Sequence, residues 1–232
     1  CGFVRSGNPL REDETNYLYA KGDDYTNYSD CSTEKPNYVE RVRRCIDLLH
    51  LLKLEYHSVL DIGASTGYFL SLFPDKDRMG VETSLAGVST AKNRYHLDIF
   101  CGTFQEYFRK NPNGKFDLVV MSHVMEHIDD LNQWMECISS VASKYLYVEV
   151  PMFRTNAVEP FGVFAEEHLN YFVSESLLTL IQTYGYGCIH LDIDYMIPYR
   201  IANGFPMIRA VFQKGDSVYR VHSAIKWQDD VR

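Results

Sequence analysis

Val59-Leu60-Asp61-Ile62-Gly63-Ala64-Ser65-Thr66-Gly67-Tyr68-Phe69-Leu70 decides the fold. A β-branched and apolar run stops at Gly63, small residues follow, and helical spacing resumes after Gly67. That is the pattern of a buried strand, a tight turn and the first turn of a helix. Such a turn leaves backbone N–H groups bare at a helix N-terminus, where an anionic ligand group can dock. Glycine there removes the Cβ atoms that would hold a ligand away from the backbone. Met79-Gly80-Val81 reads as the next apolar strand, and Glu82 closes it. In a doubly wound sheet an acid about twenty residues past the first turn accepts ribose hydroxyls. The stretch therefore suits a nucleoside carrying a further group.

These residues resemble the first motif of class I S-adenosylmethionine-dependent methyltransferases, acid-x-Gly-x-Gly-x-Gly. Asp61, Gly63 and Gly67 match it, whereas Ser65 stands where the middle glycine is usual. The resemblance implies an α/β fold: a Rossmann-like, doubly wound, seven-stranded and mostly parallel sheet with an antiparallel terminal hairpin strand. It also implies S-adenosylmethionine as cofactor, held by Asp61, Gly63, Ala64, Ser65, Gly67, Glu82 and Thr83.

The chain has 232 residues, a length that suits one large α/β domain with short appended pieces. Residues 1–32 read as a polar, tyrosine-rich arm, 33–214 as the α/β domain and 215–232 as a polar tail. A net charge of −8 argues against sequence-independent nucleic-acid binding, which relies on clustered Lys and Arg. No run approaches the roughly 18 apolar residues that span a bilayer, and no secretory signal is present. Cysteines at positions 1, 31, 45, 101, 137 and 188 form no C-x-x-C pair, which points to a reduced, cytoplasmic setting. Cys1-Gly2-Phe3-Val4-Arg5 resembles the last knuckle of the zinc ribbon that precedes the catalytic domain in many bacterial methyltransferases. One cysteine cannot hold zinc, so no metal site is expected, and other domains of a longer polypeptide are expected partners.

Apolar positions at helical spacing between Thr33 and Leu54 predict a helix, and Ser84 caps another running to about Tyr95. A short strand falls around Leu97 to Cys101. Gly102-Thr103-Phe104-Gln105 lies where related enzymes place a loop against the adenine, commonly as Gly-Asp. With Thr103 in place of the acid, the resemblance implies recognition by backbone groups and the Phe104 ring. Phe116–Met121 is apolar enough for a central parallel strand. The following Ser122-His123-Val124-Met125-Glu126-His127-Ile128 resembles the His-x-x-Glu-His stretch of the same superfamily. That likeness implies that Ser122 and His123 line the cofactor and that His127 lies near the chemistry. His123 and His127 have the spacing of a metal pair on a helix, but the HExxH order is absent and no third ligand is evident. A helix over 129–142, a strand over 145–150, an irregular loop over 152–165 and a helix from Ser174 to about Tyr184 follow. Strands over 186–195 and 207–213 complete the pattern, the last antiparallel.

Methyl transfer requires alignment of nucleophile, methyl carbon and leaving sulfur, and often removal of a proton. Histidine suits that work near neutral pH. Glu167-His168-Leu169-Asn170-Tyr171-Phe172 resembles the Glu-His-x-x-Tyr-Phe signature of sugar methyltransferases. It implies His168 as general base and Glu167 as its orienting or substrate-binding partner, with His127 second choice for the base. Tyr25-Thr26-Asn27-Tyr28-Ser29-Asp30 resembles the arm of deoxysugar C-methyltransferases, which implies that Tyr28 folds over the cofactor. Those C-methyltransferases carry a further C-terminal domain that this chain ends too soon to contain. That favours either O-methylation or a chain that is a piece of a longer one; the expected reaction is O-methylation of a small acceptor, a sugar hydroxyl of a nucleotide sugar or surface polysaccharide, with other small acceptors open. Two alternatives remain: an NAD-dependent Rossmann oxidoreductase, although Gly-x-Gly-x-x-Gly is missing, and a catalytically idle cofactor-binding module.

Overall fold

The computed structural model describes residues 4–5, 36–153, 168–196 and 205–215. The short strand β1 (Val4–Arg5) pairs antiparallel with β7 (Asn170–Tyr171), and Arg5 bridges to Asp129. Seven further strands form one sheet: β2 (Ser58–Ile62), β3 (Asp77–Glu82), β4 (Phe100–Cys101), β5 (Phe116–Ser122), β6 (Ala142–Pro151), β8 (Tyr186–Met196) and β9 (Phe205–Lys214). Their order is β4-β3-β2-β5-β6-β9-β8. All neighbours run parallel except β9, which is antiparallel to both β6 and β8. The chain enters at β2, winds outward to β4, then crosses to β5 on the other side of β2. The winding reverses at the carboxyl ends of β2 and β5, the place where open α/β sheets take their ligands.

Among the described residues six α-helices cover the sheet: α1 (Pro36–Leu51), α2 (Tyr68–Ser71), α3 (Leu85–Tyr95), α4 (Phe104–Lys110), α5 (Leu131–Val141) and α6 (Ser174–Thr183). Side chains alternate along each strand, so both faces bury apolar rows. Leu60, Ile62, Val119, Met121, Leu146 and Val148 pack with Phe104, Trp134, Met135, Ile138, Leu177 and Ile181 of the last three helices. Val59, Leu118, Val120, Tyr147 and Val211 pack with Val42, Cys45, Leu48, Leu49, Phe69, Leu70 and Ala91 of the first three. No helix among the described residues is long and apolar enough to cross a membrane.

Two expectations need correction. The strand expected over 97–101 is reduced to Phe100–Cys101. The expected loop at 102–105 is the start of α4: Thr103 Oγ1 accepts from Glu106 N at 3.2 Å, and Glu106 Oε2 accepts from Thr103 N at 2.8 Å. This reciprocal capping box satisfies two orphan amides and starts a helix where the Gly-Thr pair suggested none.

Gly87 joins α3 to the first turn, because a Cβ there would lie 2.7 Å from Ser65 O and 3.2 Å from Glu82 Cγ. Helix propensity favours alanine by about 1 kcal/mol, but backbone oxygen cannot rotate away. Gly87→Ala is expected to destabilise the protein by about 1–3 kcal/mol, as overpacking does, and to weaken S-adenosylhomocysteine binding. A raised urea midpoint with unchanged affinity would show that the contact yields.

Candidate functional site

The turn after β2 is built on left-handed backbone, with φ of 76° at Gly63, 53° at Ser65 and 79° at Gly67. Ser65 thus adopts a conformation that glycine takes without steric cost, consistent with its place at the usual middle glycine. The amides expected to be bare are mostly committed. Gly63 N and Ala64 N donate to Val81 O, Gly67 N donates to Ala64 O, and Ser65 N donates to Glu82 Oε2 at 2.7 Å. The turn is therefore a rigid wall, not an anion-binding nest.

What this wall presents is carboxylate. Glu82 closes β3 and is oriented by two amides, Ser65 N on Oε2 and Ser84 N on Oε1, both at 2.7 Å. Thr83 Oγ1 also donates to Oε1, at 3.5 Å, while Oε2 keeps a second lone pair that can accept a ribose hydroxyl. Burial raises its pKa, against the backbone hydrogen bonds that lower it. Asp61 sits behind it, 5% exposed; burial and then the Glu82 charge push its pKa up to about 8. Two crowded acids beside a glycine-bearing turn fit a ligand that joins ribose to a sulfonium and an ammonium, as S-adenosylmethionine does. Gly63 closes this wall on the other side, since a Cβ there would lie 2.8 Å from Val124 Cγ2 of the turn after β5.

Thr83 is half-buried next to Glu82. Thr103 is spent on capping α4, and Phe104, 3% exposed, points into the core with its ring centroid 5.3 Å from that of Trp134. The Phe104 ring that was expected against the adenine is thus turned to the core. Tyr28 and Glu167 lie outside the described residues.

Beyond β5 the chain turns through His123, whose φ is 58°, into a single 3₁₀ turn, Met125–His127. The segment containing His168 docks on this turn through its own backbone and one amide side chain. Leu169 N donates to Glu126 O at 2.7 Å, and Asn170 Nδ2 donates to Met125 O at 3.1 Å and to Ile128 O at 2.6 Å. This brings His127 and His168 to a ring-centroid separation of 4.9 Å, with Tyr171 6.4 Å from His168. Glu126 lies beneath them, 1% exposed, its Oε1 3.9 Å from His127 Nε2 and 3.3 Å from His123 Nδ1. One ligand atom from each of Glu126, His127 and His168 lies within 4.8 Å of the others. The third partner that the spacing of His123 and His127 did not reveal thus comes from about forty residues on, and the histidine it joins is His127.

Ser122 and His123 face a different group, one that sequence reasoning missed. Glu149, 1% exposed, stands in a row with Ser122, Arg209 and Asp192 across β5, β6, β9 and β8. Its oxygens accept from Ser122 Oγ at 3.1 Å, Tyr147 Oη at 3.0 Å and Arg209 Nε at 3.1 Å, and Arg41 Nε of α1 lies 3.6 Å away. Burial opposes ionisation, but His123 and the two arginines bring its pKa down to about 2. His123 Nε2 is 3.6 Å from Glu149 Oε1. Burial and then Arg41 press the imidazole pKa down, yet the two carboxylates beside it, Glu126 and Glu149, leave it raised. The available sequence signal was a charge inside each of two apolar runs, Glu149 in 145–150 and Arg209 in 207–213.

A parallel sheet that reverses at β2, an antiparallel β9 and acids at the carboxyl ends of β2 and β3 define a methyltransferase of the class I type. The chain belongs to the family described as "Methyltransferase domain", whose model matches residues 38–191, and it is an S-adenosylmethionine-dependent methyltransferase. No curated protein matches the chain. Among solved structures, it is similar to an S-adenosylmethionine-dependent methyltransferase from Archaeoglobus fulgidus, with 17% identity, a TM-score of 0.59, and coverage of 85% of this chain and 99% of that one. Magnesium protoporphyrin IX methyltransferase from Synechocystis PCC 6803, solved with S-adenosylhomocysteine, gives 15% identity and a TM-score of 0.62 over 87% and 98%. N-methyltransferase NodS from Bradyrhizobium japonicum WM9, also with S-adenosylhomocysteine, gives 14% identity and a TM-score of 0.62 over 86% and 98%. The family match decides against the nicotinamide alternative.

Folded Asp61 keeps a proton up to about pH 8, which the unfolded chain releases near pH 4. The native state therefore loses stability as pH rises through that window. Asp61→Asn is expected to gain about 2 kcal/mol or more over wild type between pH 5 and pH 8.5 in urea titrations, while binding cofactor more weakly. An equal stability difference at both pH values would refute the assignment. Asn170→Ala leaves two carbonyls short of a donor and is expected to cost about 1–3 kcal/mol. It should also lower turnover more than S-adenosylhomocysteine affinity, measured by calorimetry; equal losses would show that His168 placement does not depend on Asn170.

Proposed function

We propose that the protein transfers a methyl group from S-adenosylmethionine to a hydroxyl of a small acceptor, and that this hydroxyl belongs to a sugar, carried on a nucleotide sugar or a surface polysaccharide. The observation that carries the reading is the pair of imidazoles, His127 and His168, held at 4.9 Å beside the cofactor wall. An amine acceptor reacts through a free lone pair, whereas a hydroxyl must lose a proton as it attacks, so paired imidazoles suit the hydroxyl better. The Glu167–Phe172 stretch, which resembles the sugar methyltransferase signature, supports a sugar as the acceptor.

In this reading Asp61 and Glu82 hold the cofactor's cationic and ribose portions, and the turn from Gly63 to Gly67 fixes its depth. When bound, S-adenosylmethionine supplies a methyl group already made electrophilic by its sulfonium. His168 draws the proton from the acceptor hydroxyl, with His127 beside it and Glu126 stabilising positive charge on the pair. The remaining catalytic work is alignment, which can supply much of the barrier reduction without covalent chemistry.

Wild-type protein is expected to bind S-adenosylhomocysteine and not NAD in calorimetric titrations, and to methylate a member of a nucleotide-sugar panel followed by product mass. His168→Ala should retain S-adenosylhomocysteine affinity and lose about 10²–10⁴-fold in turnover, the range for a general base. Unchanged turnover would remove His168 from the mechanism, and preference for an amine over a hydroxyl acceptor would overturn the acceptor class.

A further inference from the structure

Among the described residues, Glu126 is the one side chain with two buried oxygens that both lack a hydrogen-bond partner. It is 1% exposed. A buried carboxylate without such partners is costly unless a charge or a metal faces it. The neighbours that reach it are imidazoles: His123 Nδ1 at 3.3 Å and His127 Nε2 at 3.9 Å from Oε1. The ligand atoms of Glu126, His127 and His168 converge within 4.8 Å, and the 3₁₀ turn and the Leu169 and Asn170 hydrogen bonds hold all three on one scaffold.

We propose that Glu126, His127 and His168 form a binding site for a divalent first-row transition cation, located at the acceptor end of the cleft. Two imidazoles and one carboxylate are the donor set of zinc and of its first-row neighbours, whereas magnesium and calcium favour oxygen alone. Three protein ligands leave coordination positions for an acceptor oxygen. His123 lies behind Glu126 and in front of Glu149, the place of an outer-shell group that fixes a ligating carboxylate.

This inference rests on the reading of the cleft as an acceptor site and changes how the hydroxyl is activated. The acceptor oxygen binds the cation, its O–H bond breaks, and the proton passes to water. The oxygen lone pair then forms the C–O bond as the methyl C–S bond breaks, its electron pair going to sulfur to give S-adenosylhomocysteine. His168 then lends its lone pair to the cation in place of the proton.

The test uses the full chain, stripped with a chelator and titrated with Co²⁺, whose visible absorption reports coordination. Wild type is expected to saturate at one equivalent. Glu126→Gln and His168→Ala should each weaken Co²⁺ binding by more than about a hundredfold, beyond the loss typical of an outer-shell partner. Because Glu126 is buried, thermal melting checks that variant, and the half-buried His168 supplies a second whose S-adenosylhomocysteine affinity should stay unchanged. No saturable Co²⁺ binding to wild type, or binding that survives both substitutions, overturns the proposal. The readout needs no turnover: if Co²⁺ fails to bind while His168→Ala still abolishes methylation, the cation falls and the imidazole base stands.

Discussion

A carboxylate buried in the middle of a sheet must be neutralised where it stands, and Glu149 imposes that requirement on the carboxyl-terminal end of this fold. Arg209 answers it from β9, Tyr147 from the same strand, Ser122 from β5 and Arg41 from α1. Buried ion pairs are weak grounds for stability, because desolvation offsets most of the attraction. Their consequence here is positional. Four elements converge on one group, and His123 links it to Glu126 and so to the turn that carries His127. The placement of the turn that carries His127 thus follows from a polar row laid across the sheet.

Much of the fold was legible because its signals are local. Apolar runs bounded by glycine and acid read as strands β2, β3 and β5, helical spacing announced α1, and Ser84 marked the start of α3, where its Oγ accepts from Gly87 N. Register is not local. Glu149 and Arg209 are sixty residues apart and meet only because β6 and β9 pair antiparallel with those two residues opposite each other. The docking of His168 on the turn at Glu126 likewise depends on backbone hydrogen bonds from Leu169 and on the Asn170 amide, which no spacing rule reveals. Phe104 is a different kind of miss. The Thr103-x-x-Glu106 capping box stood in the sequence and would have shown that the next residue starts a helix and turns its ring to the core.

The electrostatics of the cleft follow from the same crowding. Asp61 and Glu82 are pressed together at the ends of adjacent strands, so burial and mutual repulsion keep Asp61 protonated up to about pH 8. A site of this kind is destabilised while empty and relieved by positive charge, which the sulfonium and ammonium of the cofactor provide. Affinity is thereby drawn from strain in the unliganded protein, in the way functional sites commonly store it. Glu126 applies the same logic at the acceptor end. Although burial opposes it, the three surrounding histidines lower its pKa, so the carboxylate and the imidazoles hold each other's charge in a buried place.

Geometry joins the two ends. Gly63 and Val124 pack so closely that a Cβ on Gly63 would lie 2.8 Å from Val124 Cγ2, so the turn after β2 and the turn after β5 are in direct contact. Transfer of a methyl group tolerates little misalignment, since a displacement of about 1 Å can cost about a hundredfold in rate. In the proposed reading, a cofactor on Gly63 and an acceptor at His127 and His168 are therefore referred to the same close contact. Ser65 belongs to this argument as well. Its left-handed backbone is tied to Glu82 by the amide and overlaid by Gly87 through its carbonyl, so the residue that departs from the motif is fixed in the conformation that a glycine would take there without strain.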